Sequence, residues 1–289
     1  MLKSAVGASV NFVPCRLRRW ITHVPGLAPL QRAVIERMLS GHTFVHRINA
    51  GPAAGLRFEV MLPRDKAIWS GTYECDFAEV LAGATKPGAV CYDVGGYRGY
   101  MAGVMAAAGA SKVIVLEPLP ENEQAIRRFC ALNPALPIEI LGLAAGKANG
   151  VARFRTMPDA SMAKLTTSPF QPHAEPLGEI EVRLRTIDAL VREGAIPPPD
   201  LVKIDVEGAE CDVLAGAAET LPRWKPAVLL EAHSTLLEQD CARTLRDLGY
   251  CVRRVGQAPS SMDHTRHLLA VADREAGHWN GSYPAPRAT

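Results

Sequence analysis

The sequence predicts an α/β protein built on a doubly wound, largely parallel sheet, with a small N-terminal cap and an antiparallel strand pair near the C-terminus. Three observations predict it. Short apolar runs recur at Val90–Val94, Lys112–Leu116 and Leu201–Ile204; strands covered on both faces read this way because neither face needs polar residues. Segments of helical spacing, closed by Gly or Asn-Pro stops, lie between them. The first run ends at Gly95-Gly96, with Gly99 close behind. Strand, glycine turn and helix open a Rossmann-like nucleotide-binding unit.

Taken in order, residues 1–35 hold no acid but carry Lys3, Arg16, Arg18, Arg19 and Arg32. Arg18-Arg19 suggests a secretion signal, yet Thr22, His23, Pro25 and Gly26 break the apolar stretch such a signal needs. The segment is expected to be a basic surface, able to dock weakly on an anionic membrane or an acidic partner. A helix is expected over Leu30–Leu39. Strands follow at Thr43–Asn49 and Leu56–Leu62 around a Gly/Pro/Ala turn, forming a hairpin cap outside the main sheet. A helix over Phe77–Leu81 stops at Pro87-Gly88. The first core strand leads to a small-residue helix over Gly99–Ala108, and the second ends in Glu117-Pro118. Glu121–Leu132 is helical and Ile138–Leu143 is the third strand, trailed by Ala144-Ala145-Gly146.

Val151–Thr156 and Ile180–Leu184 read as strands flanking Met157–Glu179. A loop of that length rich in Pro, Ser, Thr and Gly is expected to serve as a substrate lid, the alternative being a mere flexible excursion. A short helix spans Thr186–Gly194. The fourth core strand, Leu201–Ile204, ends in Asp205-Val206-Glu207-Gly208-Ala209-Glu210, and one helix is expected from there to Leu221. The fifth strand, Ala227–Leu230, ends in Glu231-Ala232-His233. A helix over Leu236–Leu248 stops at Gly249. Cys251–Val255 and His267–Ala272 complete the sheet as an antiparallel pair. The expected organisation is a cap over residues 1–65, a cofactor-binding domain over 66–275 and a tail over 276–289.

The chain of 289 residues is long enough for one α/β core plus an extension. A net charge of +2 makes no demand for nucleic acid. The seven cysteines are odd in number and form no C-x-x-C pair or zinc spacing. They read as reduced thiols, which places the protein in the cytoplasm. No apolar run reaches the roughly 18 residues of a membrane span.

In a doubly wound sheet the ligand sits beyond the carboxyl ends of the strands. Those ends carry Asp93, Gly95, Glu117, Ala144, Asp205, Glu231 and His233. A dinucleotide fingerprint wants G-x-G-x-x-G, but Tyr97 takes the place of the second glycine, where backbone must approach a diphosphate. That argues for a cofactor without phosphates. Asp-x-Gly-x-x-x-Gly followed by an acid at the next strand end is the pattern of S-adenosylmethionine enzymes. Gly95 and Gly96 are then expected to offer amides to the cofactor carboxylate, and Asp93 to organise the turn or merely cap its own loop. Glu117 would accept both ribose hydroxyls, beside Pro118, and Ala144 would edge the adenine. Asp205 would hold the cofactor amine or orient the acceptor. An alcohol acceptor gains from a base, for which His233 is the first candidate, because neutral imidazole is available near pH 7, and Asp205 the second. Glu207, Tyr73 and Tyr97 are candidates for substrate contact. Trp69 and Tyr100 offer aromatic faces, though each can equally fill the core. Glu210 suits the start of a helix. Asp205, Glu231 and His233 are of a type to hold a divalent metal, but their spacing does not support one, and no metal ligand is assigned.

Gly71-Thr72-Tyr73-Glu74, Asp93-Val94-Gly95, Gly99-Tyr100, Glu117-Pro118, Leu230-Glu231-Ala232-His233 and above all Leu201–Glu210 together resemble the FkbM family of S-adenosylmethionine-dependent methyltransferases. The resemblance covers residues 66–235. It implies the class I methyltransferase form of the Rossmann-like fold, S-adenosylmethionine as cofactor, and O-methylation of a hydroxyl on a sugar, glycolipid or polyketide-like molecule. One departure stands out. Gly96-Tyr97-Arg98 replaces the family's usual Ala-Asn-Ile, which removes a polar contact near the methionine end and sets a cation there, either gripping the cofactor carboxylate or turned away. Two rival readings are a non-catalytic scaffold that binds a partner through its basic N-terminus, and a nicotinamide-dependent oxidoreductase, against which Tyr97 argues. No oligomeric state is assigned.

Overall fold

The computed structural model describes residues 42–156, 164–165, 178–255 and 266–272. The expected helix over 30–39, the basic segment, most of the proposed lid and the tail lie outside the described residues.

The chain opens with β1 (Thr43–Arg47) and β2 (Arg57–Met61), an antiparallel hairpin that forms its own sheet, as expected of a cap. Helices α1 (Lys66–Ser70) and α2 (Cys75–Ala84) lead into the core. There follow β3 (Val90–Val94), α3 (Tyr100–Ala107), β4 (Lys112–Leu116), α4 (Pro120–Leu132) and β5 (Ile138–Leu141). Next come β6 (Ala144–Ala145), β7 (Gly150–Thr156), β8 (Lys164–Leu165), β9 (Gly178–Arg185) and α5 (Ile187–Arg192). The chain finishes with β10 (Leu201–Ile204), α6 (Glu210–Ala215), α7 (Thr220–Trp224), β11 (Ala227–Ala232), α8 (Thr235–Asp247), β12 (Tyr250–Val255) and β13 (Arg266–Ala272).

The central sheet has seven strands in the order β12-β13-β11-β10-β3-β4-β5. The run from β5 to β11 is parallel, and β13 inserts antiparallel between β11 and β12. Strand order reverses between β3 and β10, so the crevice of a doubly wound sheet opens above that pair. Both faces are covered. Side chains alternate along β4, with Val113 and Val115 in one core cluster and Ile114 and Leu116 in the other. That double coverage is the physical reason for the unbroken apolar runs. Among the described residues no helix is long and apolar enough to cross a membrane.

Three expectations need correction. The third strand stops at Leu141, and Ala144–Ala145 joins a second sheet of order β6-β9-β7-β8, in which β7 and β9 pair antiparallel. The single helix expected up to Leu221 is two. Gly216 packs so closely that a Cβ there would meet the Gly146 carbonyl oxygen at 2.0 Å. Asp188 restarts the chain by accepting hydrogen bonds from the Glu219 and Thr220 amides at 2.9 and 2.7 Å. The fifth strand runs to Ala232, so Glu231 belongs to the strand and stands opposite His267.

Arg98 joins the hairpin to the core. Its guanidinium donates to Asp65 Oδ1 at 2.8 Å and to the Glu59 carbonyl at 2.6 Å, and lies 5.0 Å from the centre of the Phe58 ring. Its side chain is thus committed to the hairpin and does not line the cavity described below.

Candidate active site

Above the carboxyl ends of β3, β4, β10 and β11 lies a cavity of about 190 Å³. Its floor is the turn after β3. Gly95 has a φ of 81°, and a Cβ on it would stand 1.8 Å from the Asp205 carbonyl oxygen, so only glycine fits between the two strand ends. The Gly95 carbonyl accepts from Lys203 Nζ at 2.7 Å. Lys203 is only 2 % exposed and also reaches Asp93 Oδ1 at 3.0 Å and Asp205 Oδ2 at 3.4 Å. Register explains the first contact, since Lys203 and Asp93 are direct partners on adjacent strands. Burial works against charge on Lys203, but Asp93 and Asp205 more than offset it and hold the ammonium above its usual pKa. Burial raises Asp93, and Lys203 opposes that rise.

Asp93 is fully buried and does not line the cavity. It organises the turn at second hand, by holding the lysine that holds Gly95. Gly96 also lies off the cavity wall. A Cβ there would meet Val115 Cγ1 at 2.1 Å, so its part is close packing of the turn on β4.

Glu117 closes one side. Its Oε1 accepts from the Leu119 amide at 3.0 Å and Asn122 Nδ2 at 3.3 Å, and its Oε2 from the Tyr97 amide at 2.9 Å. Burial pushes its pKa up to about 7 against the pull of these donors. A carboxylate has about four acceptor positions. Three are taken, which leaves one acceptor position open on Oε2. Beside it Pro118, Leu119, Ala144, Ala145 and Phe154 line an apolar slot.

The opposite wall is acidic, with Glu74, Asp205, Glu207 and Glu231 facing the cavity together with Tyr73 and Tyr97. Glu74, Tyr97 and Glu207 hold φ at 42°, 46° and 52°. A left-handed backbone costs a non-glycine residue about 1 kcal/mol or more, and such strain gathers at functional sites. Glu74 is raised to about 7, first by burial and then by Glu231 and Asp205, while a hydrogen bond to Tyr73 opposes the rise. Trp69 packs against His46 and Tyr100 is buried in the core, so both prove to be filling residues.

His233 lies behind this wall, 6 % exposed and outside the cavity lining. Its Nδ1 is 2.7 Å from Glu210 Oε1. Its Nε2 is 3.5, 3.6 and 3.8 Å from Glu207 Oε1, Asp205 Oδ1 and Glu231 Oε1. Burial disfavours charge on the ring, but hydrogen bonds to Glu207 and Glu210 and the charges of Glu207 and Asp205 raise its pKa to about 11. The expectation of a neutral imidazole at hand for an acceptor is therefore corrected: the carboxylates stand between ring and cavity, and they keep it protonated.

The structure thus brings Gly95, Glu117, Pro118, Ala144, Asp205, Glu207, Tyr73 and Tyr97 to one cavity. Sequence reasoning overlooked Lys203, Glu74, Asn122, Leu119 and Phe154. A lysine inside an apolar strand was a signal for the first. Phe154 carries none, because its place depends on the second sheet.

The model of the Methyltransferase FkbM domain matches residues 93–277, well over half of the sequence. Hexuronic acid methyltransferase AglP of Haloferax volcanii is 26% identical over 177 residues, which is 60% of this chain and 68% of that protein. Methyltransferase FkbM from Methylobacillus flagellatus is similar at 19% identity and a TM-score of 0.46, over 71% of this chain and 52% of that one. The magnesium protoporphyrin IX methyltransferase ChlM of Synechocystis, solved with bound SAM, aligns over 67% of this chain and 74% of its own at 14% identity and a TM-score of 0.40.

Proposed function

The chain belongs to the FkbM methyltransferase family, and on that premise we propose that it transfers the methyl group of S-adenosylmethionine to a hydroxyl oxygen of a sugar, glycolipid or polyketide-like small molecule. One observation carries the reading: a single cavity joins an apolar slot and the lone carboxylate Glu117 to a wall of four acids. The slot suits a flat adenine, Glu117 a ribose hydroxyl, and the acids a positively charged sulfonium. The same acids would repel the diphosphate of a nicotinamide cofactor.

When bound, S-adenosylmethionine supplies a methyl already activated on sulfur, so the protein must mainly position the acceptor. The expected Gly95 amide is not on offer, since it donates to the Leu116 carbonyl at 3.0 Å; Gly95 would only let the cofactor approach the bare backbone from below, and Glu117 would fix it from the side. Tyr73 and Tyr97 offer ring faces to a sugar. Glu74, a carboxylate held beside Tyr73 on the cavity wall, takes over from His233 as the group placed to take the acceptor's proton. Lys203 keeps Asp205 aimed at the reacting end. The described cysteines form no disulfide, in keeping with a reducing compartment such as the cytoplasm.

Calorimetric titration of S-adenosylmethionine and NAD tests the cofactor. Binding of the first alone is expected, and binding of NAD alone or of neither overturns the reading. Because AglP is named for a hexuronic acid, uronic-acid glycosides are the first acceptors to try, scored by mass spectrometry as the gain of one CH₂.

A further inference from the structure

We propose that Asp205, Glu231 and His233 bind one divalent cation on the acidic wall of the cavity, and that this ion holds the acceptor oxygen. The second half rests on the methyltransferase reading; the first does not.

One ligand atom from each of the three residues lies within 4.8 Å of the other two. His233 Nε2 stands 3.6 Å from Asp205 Oδ1 and 3.8 Å from Glu231 Oε1. Ligand bonds of about 2.1 Å set two donors of one ion roughly 3 to 3.4 Å apart at right-angled to tetrahedral geometry, so small side-chain shifts suffice. The strands supply the placement. Asp205 directly follows β10, and Glu231 lies near the end of β11, its parallel neighbour.

A group of acids alone would be a weak argument. Here each donor is aimed by an outside partner acting on its other atom. His233 Nδ1 meets Glu210 Oε1 at 2.7 Å, Asp205 Oδ2 meets Lys203 at 3.4 Å, and Glu231 Oε2 meets His267 Nε2 at 3.3 Å. Partners of this kind orient metal ligands, and carboxylate–histidine–metal is their commonest form. Glu210 is fully buried and, among the described residues, its Oε2 has no hydrogen-bond partner. Such a carboxylate is costly to bury; its Oε1 accepts from the Gly208 amide at 3.0 Å and holds the imidazole with Nε2 turned to Asp205, Glu207 and Glu231. A cation at this point takes the place of the proton on Nε2. It also offsets the mutual repulsion of Glu74, Asp205, Glu207 and Glu231.

Two carboxylates and one imidazole, with no thiolate, make a donor set suited to Mn²⁺ and similar ions. Asp205 and Glu231 line the cavity, so coordination positions stay open on the side where an acceptor would enter. There an ion would lower the pKa of a bound hydroxyl and orient it.

The test is a Mn²⁺ titration of the chelator-treated full chain without S-adenosylmethionine, followed by loss of the free-ion signal in electron paramagnetic resonance. One saturable site is expected. Glu231→Gln and His233→Ala should each weaken it at least about tenfold, Glu210→Gln by about 10- to 100-fold, and the exposed control Glu139→Gln not at all. Mn²⁺ should raise the melting temperature of the wild type and leave that of Glu231→Gln unmoved, which separates lost binding from lost folding. Absence of a saturable site, or equal binding by Glu231→Gln and His233→Ala, overturns the proposal. Mn²⁺ binding without S-adenosylmethionine binding would keep the metal site and refute the methyltransferase reading; the reverse would refute the metal site alone.

Discussion

Replacing Glu117 by Gln puts the cofactor assignment at risk most directly. In the wild type both oxygens accept: Oε1 from Leu119 and Asn122, Oε2 from Tyr97. A glutamine presents one oxygen and one NH₂, so at least one backbone amide then faces a donor. Leaving it unsatisfied costs about 1–3 kcal/mol of stability. A ribose hydroxyl that bonded a carboxylate loses about 1.5–3 kcal/mol, which is roughly 10- to 150-fold in affinity. The pH dependence sharpens the test. Burial raises Glu117 to about 7, so the wild type should lose cofactor affinity about tenfold per unit as pH falls below 7. Stability should run the other way. The folded-state pKa exceeds the ordinary glutamate value of 4.5, so the folded protein binds this proton more tightly than the unfolded chain. The contribution of Glu117 to stability therefore falls as pH rises from about 4.5 to 7. Calorimetry with S-adenosylhomocysteine over this range, paired with urea melts of the free protein, reads both slopes. A glutamine variant that binds like the wild type would refute the assignment of Glu117 to the ribose; any affinity slope it keeps below pH 7 belongs to Glu74, which burial raises to the same range.

Lys203→Met should cost about 3–5 kcal/mol, because it strands the buried Asp93 charge; adding Asp93→Asn should recover part of the loss in urea denaturation, and a single-variant loss below about 1 kcal/mol would contradict the ion pair. Gly95→Ala should abolish cofactor binding or folding altogether, since its Cβ would stand 1.8 Å from the Asp205 carbonyl oxygen at a φ of 81°; calorimetry or soluble yield decides, and a well-behaved binder would show that the turn can shift. Arg98→Ala should lower stability by about 1–3 kcal/mol through the lost contacts to Asp65 and Glu59, yet leave S-adenosylmethionine affinity within about twofold. A large loss of affinity would mean that Arg98 reaches the cofactor after all.

What could be read from the sequence was what has a local cause. The strands at Val90–Val94, Lys112–Leu116 and Leu201–Ile204 were found to the residue, because covering both faces of a sheet forces an apolar run wherever the strand lies. The carboxyl-end rule then located Glu117 and Asp205 without knowledge of any contact. Pairings were not legible. Val151–Thr156 and Ile180–Leu184 show that they are strands but not which sheet they join, and Phe154 reaches the cavity only through that choice.

Arg98 shows the same limit from the other side. By position it sits in the glycine turn between Gly96 and Gly99, and its actual partners come from Glu59 and Asp65, which local spacing does not connect to it. His233 shows it most sharply. The residue type was visible, but whether its ring acts as a base, an imidazolium or a ligand depends on Asp205, Glu207, Glu210 and Glu231, carried by two strand ends and the loop and helix that follow β10. A histidine's chemistry is a property of what surrounds it. In this fold the surroundings are assembled by strand order, so the same Glu-Ala-His at the end of a strand not flanked by β10 would lose the acids at positions 205, 207 and 210 and regain an ordinary imidazole.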